Sequence, residues 1–162
     1  MAQTLIKALG LDVGRKRIGV AGCDRLGMCA FGITTIQRRS WLADMTQLGK
    51  IIQEREIDTL VVGMPYNMDG SMGYQAQQVE KYGQRVAQYH GTKLEFVDER
   101  LTSFSAEEQL KEWGYDLRRH KLLIDQQAAV IILQIWLDRQ RLLTETRLGI
   151  TLKENRENQG LE

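Results

Sequence analysis

The apolar residues of this chain change their spacing near residue 40, which limits the folds open to it. Before that point, three apolar segments are separated only by short turns. They predict an antiparallel meander with strands near residues 5–13, 17–23 and 28–36. After that point, apolar residues recur at helical spacing from Trp41 to Ile52, and Ser40 is in place as the N-cap.

Strands and helices alternate after the meander. The remaining predicted elements are a strand over 59–63, a helix over 75–90, a strand over 94–97, a short helix and a last helix over 122–143. Ser105 and Glu108 have the form of a capping box that opens the short helix, and Gly114 closes it. This order predicts an α/β fold, a mixed five-stranded sheet with helices on both faces.

Length and composition predict one soluble domain. The 162 residues suit a single domain over 1–143, and the polar residues 144–162 predict a flexible tail. The longest apolar run, Ala128–Leu133, is too short to span a membrane, and the N-terminus has no signal-peptide pattern. Cys23 and Cys29 match no metal spacing and are expected to be reduced thiols, so we expect a cytoplasmic protein.

Three carboxylates are candidates for a shared site. Asp12 lies inside an apolar strand, where a carboxylate is costly unless something compensates its charge. Glu99 ends the fifth strand, and Asp125 lies in the first turn of the last helix, on its apolar side. If the first and fifth strands are neighbours or near neighbours, the three converge. Oxygen ligands favour Mg²⁺ or Mn²⁺, and two such ions would suit phosphodiester hydrolysis.

Each carboxylate also has a structural interpretation. Asp125 could complement the helix dipole, and Glu99 could form a surface ion pair with Arg100. Asp12 has little structural use between apolar neighbours. The sequence leaves open whether Asp98 assists Glu99 or caps the strand.

Basic residues are clustered although the net charge is only +1. Arg15, Lys16 and Arg17 follow Asp12 in a turn, and a run from Arg118 to Lys121 precedes Asp125. Nucleic-acid phosphates would suit both clusters, and the alternative is a solvated charge run. Asn67 lies in a loop after the fourth strand that is either a phosphate or sugar contact or an ordinary turn. The candidate nucleic-acid contacts are Arg15, Lys16, Asn67, Arg100, Arg118, Arg119 and Lys121.

Four ordered motifs resemble the YqgF family, also called the RuvX or Holliday-junction-resolvase family. They are Gly10–Val20, Val62–Ser71, Val97–Ser103 and Asp125–Leu133, and the resemblance covers nearly all of residues 8–138. It implies a ribonuclease-H-like fold, a metal site made by Asp12, Glu99 and Asp125, and nuclease action in the cytoplasm. Two substrates are implied: the 5′ end of precursor 16S ribosomal RNA, which we favour and which would bring contact with ribosomal particles, and four-way DNA junctions.

Two other classes of function compete with a nuclease. A sugar-kinase-like or actin-like ATPase would need a second similar domain, for which 162 residues are too few. A non-catalytic RNA-binding module would gain only repulsion from acids that face phosphates. The sequence carries no mark of oligomeric state.

Overall fold

The computed structural model of the protein describes residues 3–100 and 102–158. Its elements, in chain order, are β1 (Ala8–Val13), β2 (Arg17–Cys23), β3 (Ala30–Gln37), α1 (Trp41–Glu54), β4 (Thr59–Met64), α2 (Tyr74–His90), β5 (Lys93–Asp98), α3 (Thr102–Glu112) and α4 (Lys121–Asn158). Among the described residues, no helix is both long enough and apolar enough to cross a membrane. Cys23 and Cys29 are free thiols, as expected.

The described strands form one mixed five-stranded sheet in the order β3-β2-β1-β4-β5. The meander β1-β2-β3 is antiparallel, whereas β1 pairs with β4 and β4 with β5 in parallel. β4 therefore lies between β1, which contains Asp12, and β5, which ends at Asp98. These two strands are near neighbours, with their carboxyl ends at the same edge of the sheet.

Helices cover both faces of the sheet, so the predicted α/β fold class is confirmed. On one face, α1 and α2 pack over a buried cluster that includes Leu9, Leu11 and Val62. On the other, α4 packs over a second cluster that includes Val61 and Ile132. Each such side chain that leaves water contributes about 1.5–3 kcal/mol to the free energy of unfolding. Because side chains alternate along a strand, Asp12 faces α4, opposite Leu11.

Two helix ends agree with the sequence-based expectations. Ser40 Oγ accepts a hydrogen bond from the Ala43 amide at 3.2 Å and so caps α1. Gly91 follows α2 with a left-handed φ of 69°.

The start of α3 differs from the expectation. The helix begins at Thr102, so the predicted N-cap at Ser105 is wrong, and Ser105 lies within the first turn. Thr102 and Ser103 are residue types that cap helices as readily as Ser105, and the sequence alone does not choose among them.

The end of α4 also differs. The sequence predicts a loose tail over residues 144–162, but α4 continues through this segment to Asn158, and residues 159–162 lie outside the described part of the chain. Side chains of residues 144–150 are exposed. The hydroxyls of Thr144 and Thr146 donate to the carbonyls of Gln140 and Leu142, at 3.0 and 2.8 Å. An exposed helix needs no apolar face, so the periodicity that marks buried helices is missing here.

Candidate active site

Asp12 lies on β1, on the side of the sheet that α4 covers. It pairs in register with Gly19 of β2, and Gly19 lies directly beneath Asp125 at the start of α4. A Cβ at Gly19 would collide with the backbone carbonyl of Asp125. The missing side chain therefore lets the first turn of α4 approach Asp12.

Glu99 reaches the same place from β5. Its amide donates to the Met64 carbonyl at 3.1 Å, which carries the β4–β5 hydrogen-bond ladder one residue past Asp98. Its carboxylate lies over Gly63 of the intervening strand, where a Cβ would be 2.6 Å from Glu99 Oε2. Gly63 thus leaves the space in which the Glu99 and Asp12 side chains meet across β4.

Asp12 and Glu99 form a hydrogen-bonded carboxyl pair with raised pKa values. Desolvation is the largest cause for both. The pKa of Asp12 rises to about 6, with a further increase from the negative charge of Asp125 and a decrease from the hydrogen bond with Glu99. The pKa of Glu99 rises to about 9, with further increases from the charge of Asp12, the hydrogen bond that Glu99 donates to it, and the charge of Asp98. Near neutral pH the pair therefore shares one proton.

Asp125 lies close enough to raise the pKa of Asp12, but its own partner is a cation. Arg17 donates its Nε–H to Asp125 Oδ2 at 2.5 Å, and the two side chains are 32% and 21% exposed. The sequence groups Arg17 with its neighbours in the turn and predicts that it faces a phosphate backbone. In the structure its position on β2 directs it toward the first turn of α4.

The donor chemistry of the site fits a hard divalent cation. Two desolvated carboxyls that share a proton lack a positive countercharge, and a cation would supply it. Within residues 3–100 and 102–158, however, no group of three or more His, Cys, Asp or Glu side chains is arranged to hold a metal ion. Asp12 and Glu99 are the pair in contact, while Asp125 is bound by Arg17. The three-ligand site therefore stays a prediction.

Asp98 and Arg100 form an ion pair of their own, separate from the Asp12–Glu99 carboxyl pair. The Asp98 carboxylate accepts the amide and guanidinium hydrogens of Arg100, with an ion-pair distance of 2.8 Å. Arg100 is therefore paired with Asp98 rather than Glu99. It also donates to the Met68 carbonyl at 3.1 Å, which ties the end of β5 to the loop that contains Asn67. The Asn67 side chain donates to Ser71 Oγ at 2.9 Å.

The remaining candidate contacts lie in exposed segments around the carboxylates. Arg15 and Lys16 are exposed in the β1–β2 turn, just after Asp12. Arg118, Arg119 and Lys121 are exposed between α3 and the first turn of α4. Arg119 lies 3.7 Å from Asp116, and Thr35 donates to the Leu122 carbonyl at 2.6 Å, which attaches the start of α4 to β3.

Sequence reasoning missed the roles of Gly63 and Arg17. Gly63 is part of the Val62–Ser71 motif, but only the strand order shows that it lies between two carboxylates. Arg17 is easily grouped with Arg15 and Lys16 because the three are consecutive. Side chains alternate between the two faces of a strand, and β2 begins at Arg17. That alternation is the signal that separates Arg17 from the turn residues Arg15 and Lys16.

Comparisons with known proteins show the family and the fold. The RuvX family, described as Holliday junction resolvase, matches residues 6–139. A relative from Trichormus variabilis is 52% identical over 145 residues, which cover 90% of this chain and 96% of the relative. One from Gloeothece citriformis is 54% identical over 138 residues, which cover 85% and 91%. Both carry the name "Putative pre-16S rRNA nuclease".

Solved structures share the fold at low sequence identity. RuvC from T. thermophilus in complex with a Holliday junction has a TM-score of 0.51 at 12% identity, and the match covers 83% of this chain and 94% of that one. Fowlpox virus resolvase with its junction DNA has a TM-score of 0.50 at 12% identity, covering 82% and 97%. These likenesses confirm the predicted fold. The family match and the close relatives confirm the expected nuclease family, and the chain belongs to the RuvX family.

Proposed function

We propose that this chain is a metal-dependent nuclease that hydrolyses phosphodiester bonds of precursor 16S ribosomal RNA in the cytoplasm. The observation that carries the proposal is the partly buried, desolvated Asp12–Glu99 carboxyl pair at the carboxyl ends of β1 and β5. Ligands of mixed sheets bind at this edge, and a carboxyl pair kept there at the cost of desolvation indicates a functional site. Membership of the RuvX family supports the same reaction class.

The chain's own residues have separate tasks in this proposal. Asp12 and Glu99 would hold Mg²⁺ or Mn²⁺, and Asp125 would join them once Arg17 releases it. Two such ions supply an activated water and stabilise the leaving oxygen when bound. Arg17, freed from Asp125, is then in place to meet the charge of a substrate phosphate. α4 covers the site and limits its access to water, which strengthens each of these interactions.

Exposed residues around the site, together with the partly exposed Arg100, are the proposed contacts to nucleic acid. Lysine and arginine side chains bind phosphates largely without regard to sequence, and these positions surround the carboxylates on two sides. The set is Arg15, Lys16, Asn67, Arg100, Arg118, Arg119 and Lys121. Arg100 would have to leave Asp98 to contribute fully, so we expect a smaller share of the binding from it. Action on precursor ribosomal RNA would also bring the protein to ribosomal particles.

RNA is the preferred substrate because the relatives at 52% and 54% identity are named for it. Four-way DNA junctions are the second candidate, which the family description favours. The resolvases of similar fold are only 12% identical, so they support the fold rather than a shared substrate. A non-catalytic RNA-binding module is the third candidate, and it leaves the desolvated carboxyl pair unexplained.

The test compares the wild type with Asp12→Asn on precursor 16S ribosomal RNA and on a four-way DNA junction. Each substrate is incubated with Mg²⁺, with Mn²⁺ or with EDTA. We expect metal-dependent cleavage of the RNA that is lost in the variant. Cleavage of the junction alone would instead establish the resolvase role. Binding without cleavage under every condition would support the RNA-binding module and contradict the nuclease.

A further inference from the structure

A basic cavity lies on the face of β1 opposite Asp12. It has a volume of about 430 Å³ and lies between the end of β1 and the N-terminal half of α2. Four basic side chains line it: Arg15, Arg38, Lys81 and Arg85. No acidic residue lines it, and among the described residues none of these four forms an ion pair. In a chain of net charge +1, this is a local excess of uncompensated positive charge.

Aromatic rings hold two of these cations in place. The Arg38 guanidinium lies 4.4 Å from the Tyr82 ring centroid, and its Nη1 donates to the Gly14 carbonyl at 2.7 Å. The Arg85 guanidinium lies 3.9 Å from the Trp41 ring centroid. A guanidinium held over a ring still has N–H groups that do not face the ring, so both remain able to donate to an anion.

The cavity is part of a longer groove. A second cavity of about 370 Å³ shares Arg15, Arg38, Tyr82 and Arg85 with the first. It extends the groove toward Trp41 at the start of α1 and adds one basic residue, Arg39, and one acidic residue, Asp44, which is buried and accepts the Arg39 amide at 3.1 Å. An elongated, positively lined groove suits a chain of phosphates better than a single small anion.

One aromatic ring in the groove remains free. Tyr74, the first residue of α2, lines the larger cavity and is 69% exposed. Among the described residues, no other ring or cation packs against it, whereas Tyr82 and Trp41 are both covered by arginines. A free ring beside phosphate-binding cations suits an unpaired base, because a base inside a duplex is stacked on its neighbours.

We propose that this arginine groove, formed by Arg15, Arg38, Tyr74, Lys81, Tyr82 and Arg85, binds a single-stranded segment of the RNA substrate. The segment's phosphates contact the guanidinium and ammonium groups, and one base stacks on Tyr74. The inference rests on the proposed function, since it takes the substrate to be RNA cut beside Asp12. Arg15 is in the β1–β2 turn, between the sheet face that carries Asp12 and the face that carries the groove. An RNA strand that leaves the carboxylates would therefore pass Arg15 to enter the groove.

The experiment measures binding of labelled RNA by fluorescence anisotropy in the full-length Asp12→Asn background with Mg²⁺, so that the RNA stays uncut. Two probes are compared: a blunt duplex, and the same duplex with a single-stranded extension of about 10 nucleotides, within the site sizes of single-strand grooves. The variants are Lys81→Gln, Lys81→Gln with Arg85→Gln, and Tyr74→Leu. Their matched controls are Lys50→Gln, an exposed lysine of α1 outside the groove, and Tyr74→Phe, which keeps the ring.

We expect the double variant to bind the extended probe about tenfold more weakly, with a slope of log affinity against log salt that is shallower by about 1.4, for two phosphates on a single strand. Tyr74→Leu should weaken binding about fivefold or more, and Tyr74→Phe should restore it. Blunt-duplex affinity should not change. Lys81→Gln alone leaves both arginine–ring contacts in place. A reduction in its RNA affinity that is smaller than that of the double variant therefore reports the loss of a phosphate-binding charge rather than a disturbed fold.

Three outcomes would overturn the inference. One is an unchanged affinity and salt slope for the extended probe. Another is an equal reduction in affinity for both probes or for Lys50→Gln. The third is saturable binding of AMP that the Lys81→Gln, Arg85→Gln double variant abolishes while its RNA affinity stays the same, which would make the groove a mononucleotide site. If the Asp12→Asn protein without further changes binds neither RNA probe, the proposed function fails as well. If it binds RNA and the groove variants behave like it, the groove inference alone fails, so the two failures are distinguishable.

Discussion

Arg17 of β2 donates a 2.5 Å hydrogen bond to Asp125 of α4, so the carboxylate whose charge raises the pKa of Asp12 is paired with a cation of the chain itself. A divalent metal that uses Asp125 must compete with this guanidinium. We therefore expect Arg17→Gln to bind Mn²⁺ several-fold more tightly than the wild type, as measured by isothermal titration calorimetry.

The same substitution should also lower the stability of the metal-free protein, because Asp125 then faces Asp12 without compensation. The pair is partly exposed, so a decrease of about 1 kcal/mol or less is expected from urea unfolding in EDTA. Arg25→Gln, which breaks the exposed 3.1 Å pair with Glu56, is the control. Mn²⁺ affinity that is equal in wild type and Arg17→Gln would mean that Asp125 is not a ligand.

The Asp12–Glu99 pair makes the metal-free protein less stable as pH rises. Unfolded carboxyls ionise near pH 4, whereas the folded pKa values are raised to about 6 and about 9. Between about pH 4 and about pH 9 the folded chain holds protons that the unfolded chain has released, so the free energy of unfolding falls as pH rises. Glu99→Gln removes this penalty, and we expect it to stabilise the protein by about 1–3 kcal/mol at pH 8 and much less at pH 5.

Urea unfolding in EDTA at the two pH values checks this expectation, with Glu112→Gln, an exposed residue at the end of α3, as the control. Glu99→Gln should also abolish cleavage, and so should Asp12→Asn and Asp125→Asn. A loss of activity together with a gain in stability is the mark of a carboxylate kept for function. Full cleavage by any of the three variants would remove that residue from the site.

Gly63 is expected to be as sensitive as the carboxylates. A Cβ there would lie 2.6 Å from Glu99 Oε2 and would also collide with Ile132, so Glu99 must move away from Asp12. We expect Gly63→Ala to reduce kcat by at least about 100-fold, as a 1 Å misplacement does, and to destabilise the fold by about 1–3 kcal/mol.

Gly149→Ala is the matched control, because nothing lies within 4 Å of a Cβ at that position of α4. It should leave cleavage unchanged and stabilise the exposed helix by up to about 1 kcal/mol. Wild-type kcat in Gly63→Ala would show that Glu99 need not stay over β4 for the reaction.

The basic run from Arg118 to Lys121, which leads into α4, should govern the salt dependence of RNA binding. Neutralising Arg118, Arg119 and Lys121 together should flatten the slope of log affinity against log salt by about 0.7 for each single-strand phosphate that these side chains neutralise in the wild type. Anisotropy titrations at several salt concentrations measure this slope, and Lys50→Gln is again the control. A slope equal to that of the wild type would show that the segment does not touch the RNA backbone.

The fold, and Asp12 as a carboxylate inside an apolar strand, were predictable because each leaves a local mark in the sequence. The meander shows as three apolar runs joined by short turns, and Asp12 is conspicuous between Leu11 and Val13. The Arg17–Asp125 pair leaves no such mark, since it depends on a strand register and on the position of a helix 108 residues away. The extension of α4 past residue 143 escapes prediction for another reason: the side chains of residues 144–150 are exposed and show no apolar period.

The arginine groove escapes prediction because its cations are far apart in the chain. Arg15 is in a turn, Arg38 follows β3, and Lys81 and Arg85 lie on α2. Only the packing of α1 and α2 on the same face of the sheet brings them together. Dense runs such as Arg118–Lys121 are visible in a sequence, whereas clusters formed by tertiary structure are not.

The position of Asp125 has a consequence for the order of events during protein synthesis. The carboxyl pair needs β1, β4 and β5 in register. The first turn of α4, which covers the pair, follows all five strands in the chain and therefore leaves the ribosome after them. Contacts between residues so distant in sequence form late, after local hairpins and helices. Under the proposed function, a nascent chain that still lacks α4 would hold Asp12 and Glu99 without Asp125, and we expect it to be inactive toward the ribosomal RNA beside which it is made.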